Sequence, residues 1–275
     1  MLGSPVSHSL SPVLHTAAYT ALGLTWWRYE AIECDEAGLS GLLDRCGPDW
    51  AGLSLTMPLK RTVLPLLDRV EPLATQVGCA NTVVFAAAQR LGYNTDVAGM
   101  VGALAEQGIG GGRRPAGPAL IIGGGATACA ALAALRDLGE RSVTAAVRNA
   151  GRAEGLRTAA ARLGITLALV AFSPAALHGV RLVISTVPAG AADTFAEIFP
   201  TLASPPEAAL DVVYHPWPTA LAVAAQQAGA VLVSGFELLL HQAARQVELM
   251  TGRPAPLTAM RQAGLAELAA RAGSG

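Results

Sequence analysis

The sequence predicts an α/β protein of two domains, the second built on a doubly wound parallel sheet, and three features of the chain predict it. From residue 119 onward, short apolar strand-like runs alternate with Ala-rich helical segments, the pattern of parallel strands joined by crossover helices. The first of these strands runs straight into three consecutive glycines and a helix. Ahead of it, Gly108 to Gly117 holds five glycines, two arginines and Pro115, which breaks periodicity and marks a junction between modules.

Before that junction, Thr25 to Ile32, Trp50 to Met57 and Cys79 to Ala87 read as strands, and Pro12 to Leu22 and Thr62 to Val70 read as helices. After it, strands are expected at Ala119 to Ile122, Ser142 to Val147, Ile165 to Phe172, Arg181 to Val187, Ala208 to Tyr214 and Ala230 to Val233. From Phe236, the residues Leu239, Leu240, Ala243, Val247 and Met250 follow helical spacing, and Gly252 with Pro254 stops the helix. The expected division is an N-terminal α/β domain, residues 1–97, completed by C-terminal helices, residues 236–275, around an inserted doubly wound domain, residues 98–235.

Composition excludes several classes of function. Lys and Arg number 19 against 20 Asp and Glu, a net charge of -1 with no basic block to follow a phosphate backbone. Neither nucleic acid nor an anionic membrane is an expected partner. The mean hydropathy is positive, +0.43, and Pro115 to Leu135 carries no charge, but the glycines inside that stretch suit a strand, turn and helix better than a membrane span. The N-terminus has neither a basic region nor an apolar one, so no signal peptide is expected and a cytoplasmic location is. Cys34, Cys46, Cys79 and Cys129 are scattered without metal-ligand spacing and read as reduced thiols. His178, His215 and His241 pair with no acidic or cysteine partner at such spacing, so no metal is expected.

The run from Ala119 through Gly123, Gly124, Gly125 and Ala126 to Ala128 has the strand, glycine turn and helix order of a dinucleotide site. Glycines allow the tight turn and close backbone approach to a pyrophosphate, and the helix N-terminus supplies amide donors. Such a turn also occurs for steric reasons alone. Where NAD sites place an acidic residue for the ribose 2′-hydroxyl, the end of the second strand reads Val147-Arg148-Asn149, with Arg152 beyond. Two guanidinium groups suit a 2′-phosphate, because bidentate charge-assisted bonds need an anion, so NADP is the expected cofactor. Solvated surface arginines are the plain alternative.

Near the N-terminus, Ser7, Ser9 and Ser11 crowd the approach to a helix together with His8. Ser11 before Pro12 reads as an N-cap with proline at the first helical position, and serine hydroxyls at a helix N-terminus also make a carboxylate clamp. Lys60 follows a proline and Asp96 precedes Val97-Ala98-Gly99; alone, the first reads as a surface charge and the second as an N-cap.

Taken together these segments resemble the shikimate dehydrogenase family over nearly the whole chain. His8-Ser9-Leu10-Ser11-Pro12-Val13-Leu14-His15 resembles its H-S-x-S-P-x-x-H run, Ser54-Leu55-Thr56-Met57-Pro58-Leu59-Lys60 its N-V-T-x-P-x-K segment, and Gly78-Cys79-Ala80-Asn81-Thr82 its G-A-x-N-T segment. Gly92-Tyr93-Asn94-Thr95-Asp96 matches G-x-N-T-D, Asp211-Val212-Val213-Tyr214 matches D-x-x-Y, and Gly235 to Ala243 resembles G-x-x-M-L-x-x-Q-A. The resemblance implies NADP-linked interconversion of shikimate and 3-dehydroshikimate. It places Ser9, Ser11 and Tyr214 at the carboxylate and Lys60, Asn81, Asp96 and Gln242 at the ring hydroxyls, with Thr56 among the binding residues. It makes Lys60 and Asp96 the catalytic pair, and adds Val187 and Gly235 to the cofactor residues. The expected assembly is a monomer or homodimer.

Several positions depart from the pattern. Ser54 replaces the family's asparagine, a leucine at or beside Leu239 its usual methionine, Val147-Arg148-Asn149 its N-R-T and Ser185-Thr186-Val187-Pro188 its N-A-T segment. The first glycine follows only two residues, so the opening strand is expected to be short or truncated. Retention of Ser9 and Ser11 favours shikimate over quinate. The competing readings are a quinate/shikimate enzyme, a ligand-binding paralogue without catalysis, and a tetrahydrofolate-type dehydrogenase, which the paired serines do not support.

Overall fold

In the computed structural model, which describes residues 1–110 and 117–273, the strands expected beyond the junction form one parallel sheet. Its order is Val231–Val233, Ala208–Asp211, Leu182–Ser185, Ala119–Ile122, Ser142–Val147 and Thr166–Ala171. Numbered within the sheet, that is 6-5-4-1-2-3, the doubly wound Rossmann order, and its reversal point lies between Ala119–Ile122 and Leu182–Ser185. Strands covered on both faces read as continuous apolar runs, and all four residues of Ala119–Ile122, Leu182–Ser185 and Ala208–Asp211 are buried. Phe195, Phe199, Leu177 and Leu221 pack with Leu120, Ile122 and Val183 into its core.

The chain divides into two compact units: residues 1–75, 79–95 and 239–275 form one, and residues 76–78 and 96–238 the other. Of the junction at Gly108 to Gly117, residues 111–116 lie outside the described residues. The charge-free stretch after it is a strand, a glycine turn and the helix Ala126–Asp137, and among the described residues no helix is long and apolar enough to cross a membrane.

The first unit carries a mixed sheet. Gly52–Ser54 pairs antiparallel with Thr82–Ala86, which pairs antiparallel with Gln89–Tyr93, and Arg69–Val70 lies parallel to that last strand. At the other edge Leu2 bridges to Leu55, and Leu2–Gly3 pairs in parallel with Ile32–Glu33. Leu2–Gly3 thus forms a strand of two residues, and the expected strand over Thr25 to Ile32 is corrected to Ile32–Glu33, where it pairs with them.

The expected helix over Thr62 to Val70 is also corrected. The helix is Leu59–Thr62, a 3₁₀ turn follows at Leu64–Leu66, and Arg69–Val70 is a strand. Pro65 removes the amide that a continuing helix would use. A strand at Gln89–Tyr93 joins the sheet although its first two residues, Gln89 and Arg90, are polar. The helix at the C-terminal end of the first unit starts at Gly235 and ends at Thr251, and a further helix, Leu257–Ala272, packs against Ser11–Ala21.

Ala86 pairs with Gln89, so the hairpin turn has Ala87 and Ala88 at its centre, with φ of 49° and 57°. Two-residue hairpin turns of this hand favour Asn-Gly, and alanine is strained in the left-handed region. The double substitution Ala87→Asn with Ala88→Gly is expected to stabilise the protein by about 1–2 kcal/mol. Urea unfolding measures this, and an unchanged or lowered midpoint contradicts it.

Candidate functional site

The first unit gathers most of the predicted substrate residues around Asn81, which is only 1% exposed. Its main chain is tied on three sides: Leu55 donates to its carbonyl at 2.7 Å, its own amide donates to Tyr93 at 3.0 Å, and the adjacent Ala80 donates to the Lys60 carbonyl at 2.8 Å. The segments Ser54 to Lys60, Gly78 to Thr82 and Gly92 to Thr95 thus meet at one point. The side chain completes the junction. Asn81 Oδ1 accepts from the Thr95 amide at 2.8 Å and from Thr82 Oγ1 at 2.9 Å, and Nδ2 donates to Gln242 Oε1 at 2.9 Å.

Lys60 is half-buried in the helix Leu59–Thr62, one residue after the buried Leu59, whose side chain belongs to the core of this unit. Thr56, also half-buried, donates its amide to Leu2 and accepts from the amide of Leu59, closing the turn that presents Lys60. Asp96, 3% exposed, opens the helix Asp96–Glu106 directly after Thr95. The Thr95 amide bond to Asn81 therefore also fixes the chain where Asp96 begins.

The serine segment differs from its expected local geometry. Ser11 is the first residue of the helix Ser11–Ala21 rather than its N-cap, which is Leu10. The cap function falls to Ser9, whose Oγ accepts from the Ser11 amide at 3.1 Å. Ser11 is 3% exposed. Arg271, near the end of the last helix, donates to the His8 carbonyl at 2.7 Å and so fastens the same loop.

Behind these residues runs a buried polar network that the sequence reading missed. Tyr29 donates to Ser54 Oγ at 2.7 Å, and Ser54 donates to Gln246 Oε1 at 3.0 Å. Gln246 Oε1 also accepts from His15 Nε2 at 3.2 Å, and its Nε2 donates to Thr82 Oγ1 at 3.0 Å. Tyr19 lies 3.3 Å from His15 Nδ1. Since an amide oxygen only accepts, His15 carries its proton on Nε2 and accepts from Tyr19 on Nδ1. Burial lowers the His15 pKa from 6.5 to about 3, with the Gln246 bond opposing, so the ring is neutral throughout the physiological range. The one sequence signal for Gln246 is its position, one helical turn beyond Gln242 on the same face.

In the second unit the glycine turn sits at the reversal point of the sheet. Gly123 has φ of 117°, and a Cβ there would lie 2.5 Å from Thr186 Oγ1 and 3.1 Å from Val187 Cγ1. A Cβ on Gly124 would lie 3.1 Å from Val147. Gly125 is different. Its φ of -84° and ψ of -167° suit any residue, and among the described residues no atom beyond its immediate chain neighbours lies within 4 Å of a Cβ built on it. Nothing within the fold demands glycine there, whereas a pyrophosphate against the N-terminus of the helix Ala126–Asp137 does.

Arg148 follows the strand Ser142–Val147, and its guanidinium lies 5.0 Å above the Phe172 ring, which holds it in place. Arg152 ends the 3₁₀ turn Ala150–Arg152, capped by Asn149, whose Oδ1 accepts from Gly151 at 2.9 Å. Both arginines are exposed, and among the described residues neither forms an ion pair. Gly235 has a packing role of its own, since a Cβ would lie 2.1 Å from the Val212 carbonyl oxygen. The half-buried Tyr214 stands in the loop after Ala208–Asp211, which Asp211 staples by accepting from the Val213 amide at 3.2 Å and Thr219 Oγ1 at 2.7 Å. His241 does have an acidic neighbour, Glu237, one helical turn away with ligating atoms within 4.8 Å.

Residues 1–83 match the profile of the Shikimate dehydrogenase substrate binding domain, and residues 235–263 that of the Shikimate 5'-dehydrogenase C-terminal domain. A shikimate dehydrogenase (NADP(+)) of Moorella thermoacetica is 34% identical over 270 residues, covering 94% of this chain and 90% of the relative. The crystal structure of Mycobacterium tuberculosis shikimate dehydrogenase superposes with a TM-score of 0.85 at 42% identity, covering 96% of this chain and 97% of that one. The Thermus thermophilus shikimate 5-dehydrogenase in complex with NADP(H) and shikimate gives 0.82 at 32% identity, covering 96% of each chain. With the strand order, the glycine turn and the Asn81 junction, these likenesses establish that the chain belongs to the shikimate dehydrogenase family.

Proposed function

We propose that this protein is an NADP-dependent shikimate dehydrogenase that reversibly reduces 3-dehydroshikimate to shikimate in the cytoplasm. The observation that carries the reading is the Asn81 junction, which draws Lys60, Gln242 and the chain at Asp96 together out of four separate motifs. Residues 1–97 with 236–275 serve as the substrate domain, and residues 98–235 as the cofactor domain.

NADP(H), when bound, supplies or accepts the hydride. Gly123 to Ala126 would hold its pyrophosphate, with Val187 flanking the turn, and Arg148 with Arg152 its 2′-phosphate. The other roles belong to the chain's own groups. Reduction of a ketone leaves negative charge on oxygen, and the Lys60 ammonium first stabilises that charge and then delivers its proton; in oxidation the amine takes the proton back. Asp96 holds a ring hydroxyl by accepting from it. Because Gln242 Oε1 is engaged by Asn81, its Nε2 is the donor offered to a ring hydroxyl. Ser9 and Ser11 bind the carboxylate, and Tyr214 is assigned to the same group by the resemblance. Thr56 lines the site beside Lys60. Both serines being present, shikimate is preferred to quinate.

The cofactor assignment is tested at the two arginines. Replacing Arg148 and Arg152 together by alanine is expected to lower kcat/KM for NADP+ by about 10²-fold, as loss of charged hydrogen bonds requires, while leaving that for NAD+ nearly unchanged. An equal loss with both cofactors removes the arginines from 2′-phosphate recognition.

A further inference from the structure

Several buried polar side chains of the first unit belong to one hydrogen-bonded chain that ends on residues assigned to the substrate. It begins at Tyr29 and ends where Asn81 bonds Gln242. Between them lie Ser54, Gln246 and Thr82, and Gln246, 1% exposed, bonds both Ser54 and Thr82. We propose that Gln246 is a positioning residue, whose side-chain amide, acting through Thr82, holds the hydroxyl-binding amides of Asn81 and Gln242 in place.

The direction of every proton in the chain is set. The Thr95 main-chain amide can only donate, so Asn81 Oδ1 is an acceptor and the Thr82 hydroxyl, 2.9 Å away, gives its proton to the same oxygen. Thr82 Oγ1 is thereby left to accept, and it accepts from Gln246 Nε2. That fixes Gln246 Oε1 towards Ser54 and His15, both of which donate to it. Ser54 must then accept from Tyr29. All the hydroxyl protons point from Tyr29 towards Asn81, an arrangement in which each bond polarises the next.

One consequence follows for binding. Asn81 is held with Nδ2 towards Gln242, so Gln242 meets the substrate as a donor. His15 buttresses the hub: it is fully buried, stacked on Tyr29 with ring centroids 4.0 Å apart, and contributes a donor to the same amide oxygen. Ser54 fits this plan in place of the family's asparagine, since a hydroxyl can accept from Tyr29 and donate to Gln246 with one atom.

This inference rests on the proposed roles of Asn81 and Gln242, and its test separates the two. Gln246→Leu and Thr82→Val each break the chain, the second without altering the bonds of Gln246 to Ser54 and His15. Both are expected to raise KM for the cyclic acid about 10-fold or more, with kcat lowered less than about threefold and KM for NADP(H) unchanged, while Thr82→Ser restores wild-type values. The double substitution with Gln242→Ala is expected to be non-additive. If Gln246→Leu fails to fold, the Thr82 pair decides alone. Wild-type KM in Thr82→Val, or equal effects on both substrates, overturns the inference when Gln242→Ala still raises KM for the cyclic acid. A Gln242→Ala enzyme with unchanged KM overturns the underlying site assignment instead.

Discussion

Replacing Lys60 by alanine is expected to lower kcat by about 10³-fold, the range lost when a positioned acid is removed from a proton transfer. KM for the cyclic acid is expected to change less than about threefold, because the ring is still held by Gln242 and the serines. The expectation comes from placement. Lys60 sits in a helix of only four residues, held by the buried Leu59 on one side and by the Ala80 amide on its own carbonyl, so its Cα cannot drift from Asn81. A surface lysine would have neither constraint. Steady-state kinetics at saturating NADPH separates the two cases, and a turnover within tenfold of wild type removes Lys60 from the chemistry.

Acid is expected to destabilise the protein through His15. In the folded protein burial holds its pKa at about 3, whereas the exposed side chain of the unfolded chain titrates near 6.5. Below 6.5 the unfolded chain therefore binds a proton that the folded one refuses, and stability falls as pH drops from 6.5 towards 3. Above 6.5 the histidine is neutral in both states and contributes no pH dependence. At about 1.4 kcal/mol per pH unit the whole window amounts to a few kcal/mol, a large share of a typical domain's stability. His15→Gln keeps a donor towards Gln246 without titrating, and it is expected to flatten the fall in urea midpoint between pH 6.5 and 4. An acid limb as steep as that of wild type assigns the effect to other groups, among them the carboxylates.

The parts of this protein that could be read from sequence are those whose physics is local. The glycine turn, its flanking strand and the succession of buried parallel strands announce themselves through apolar runs and backbone requirements within a few residues of each other. So does the helix that begins at Gly235. The errors occur where a partner decides. Thr25 to Ile32 has the composition of a strand but pairs only at Ile32–Glu33, since the length of a strand is set by its neighbour. Thr62 to Val70 has helical spacing that Pro65 interrupts, and Arg69–Val70 turns into a strand by lying along Gln89–Tyr93.

The site divides in the same way. Ser9, Ser11, Lys60, Asn81, Asp96, Tyr214 and Gln242 were legible as segments of a family pattern, yet each alone has an ordinary structural explanation. The network behind them was not legible. Gln246 meets His15 across 231 positions of sequence and Ser54 across 192, and no periodicity connects such residues. His15 is fully buried, and its Nε2 proton is committed to the hub at Gln246. Gly125 shows the reverse relation: the sequence suggested a pyrophosphate, and the geometry removes the steric explanation for glycine at that position.

The central claim is the pairing of substrate and cofactor, and initial rates of the purified protein test it most directly. Shikimate with NADP+ and quinate with NAD+ are compared over a range of both substrates, and kcat/KM is obtained for each pair. The structure predicts that shikimate with NADP+ is oxidised efficiently and is clearly the better pair. More efficient oxidation of quinate with NAD+, or binding of shikimate without turnover of either acid, would contradict it.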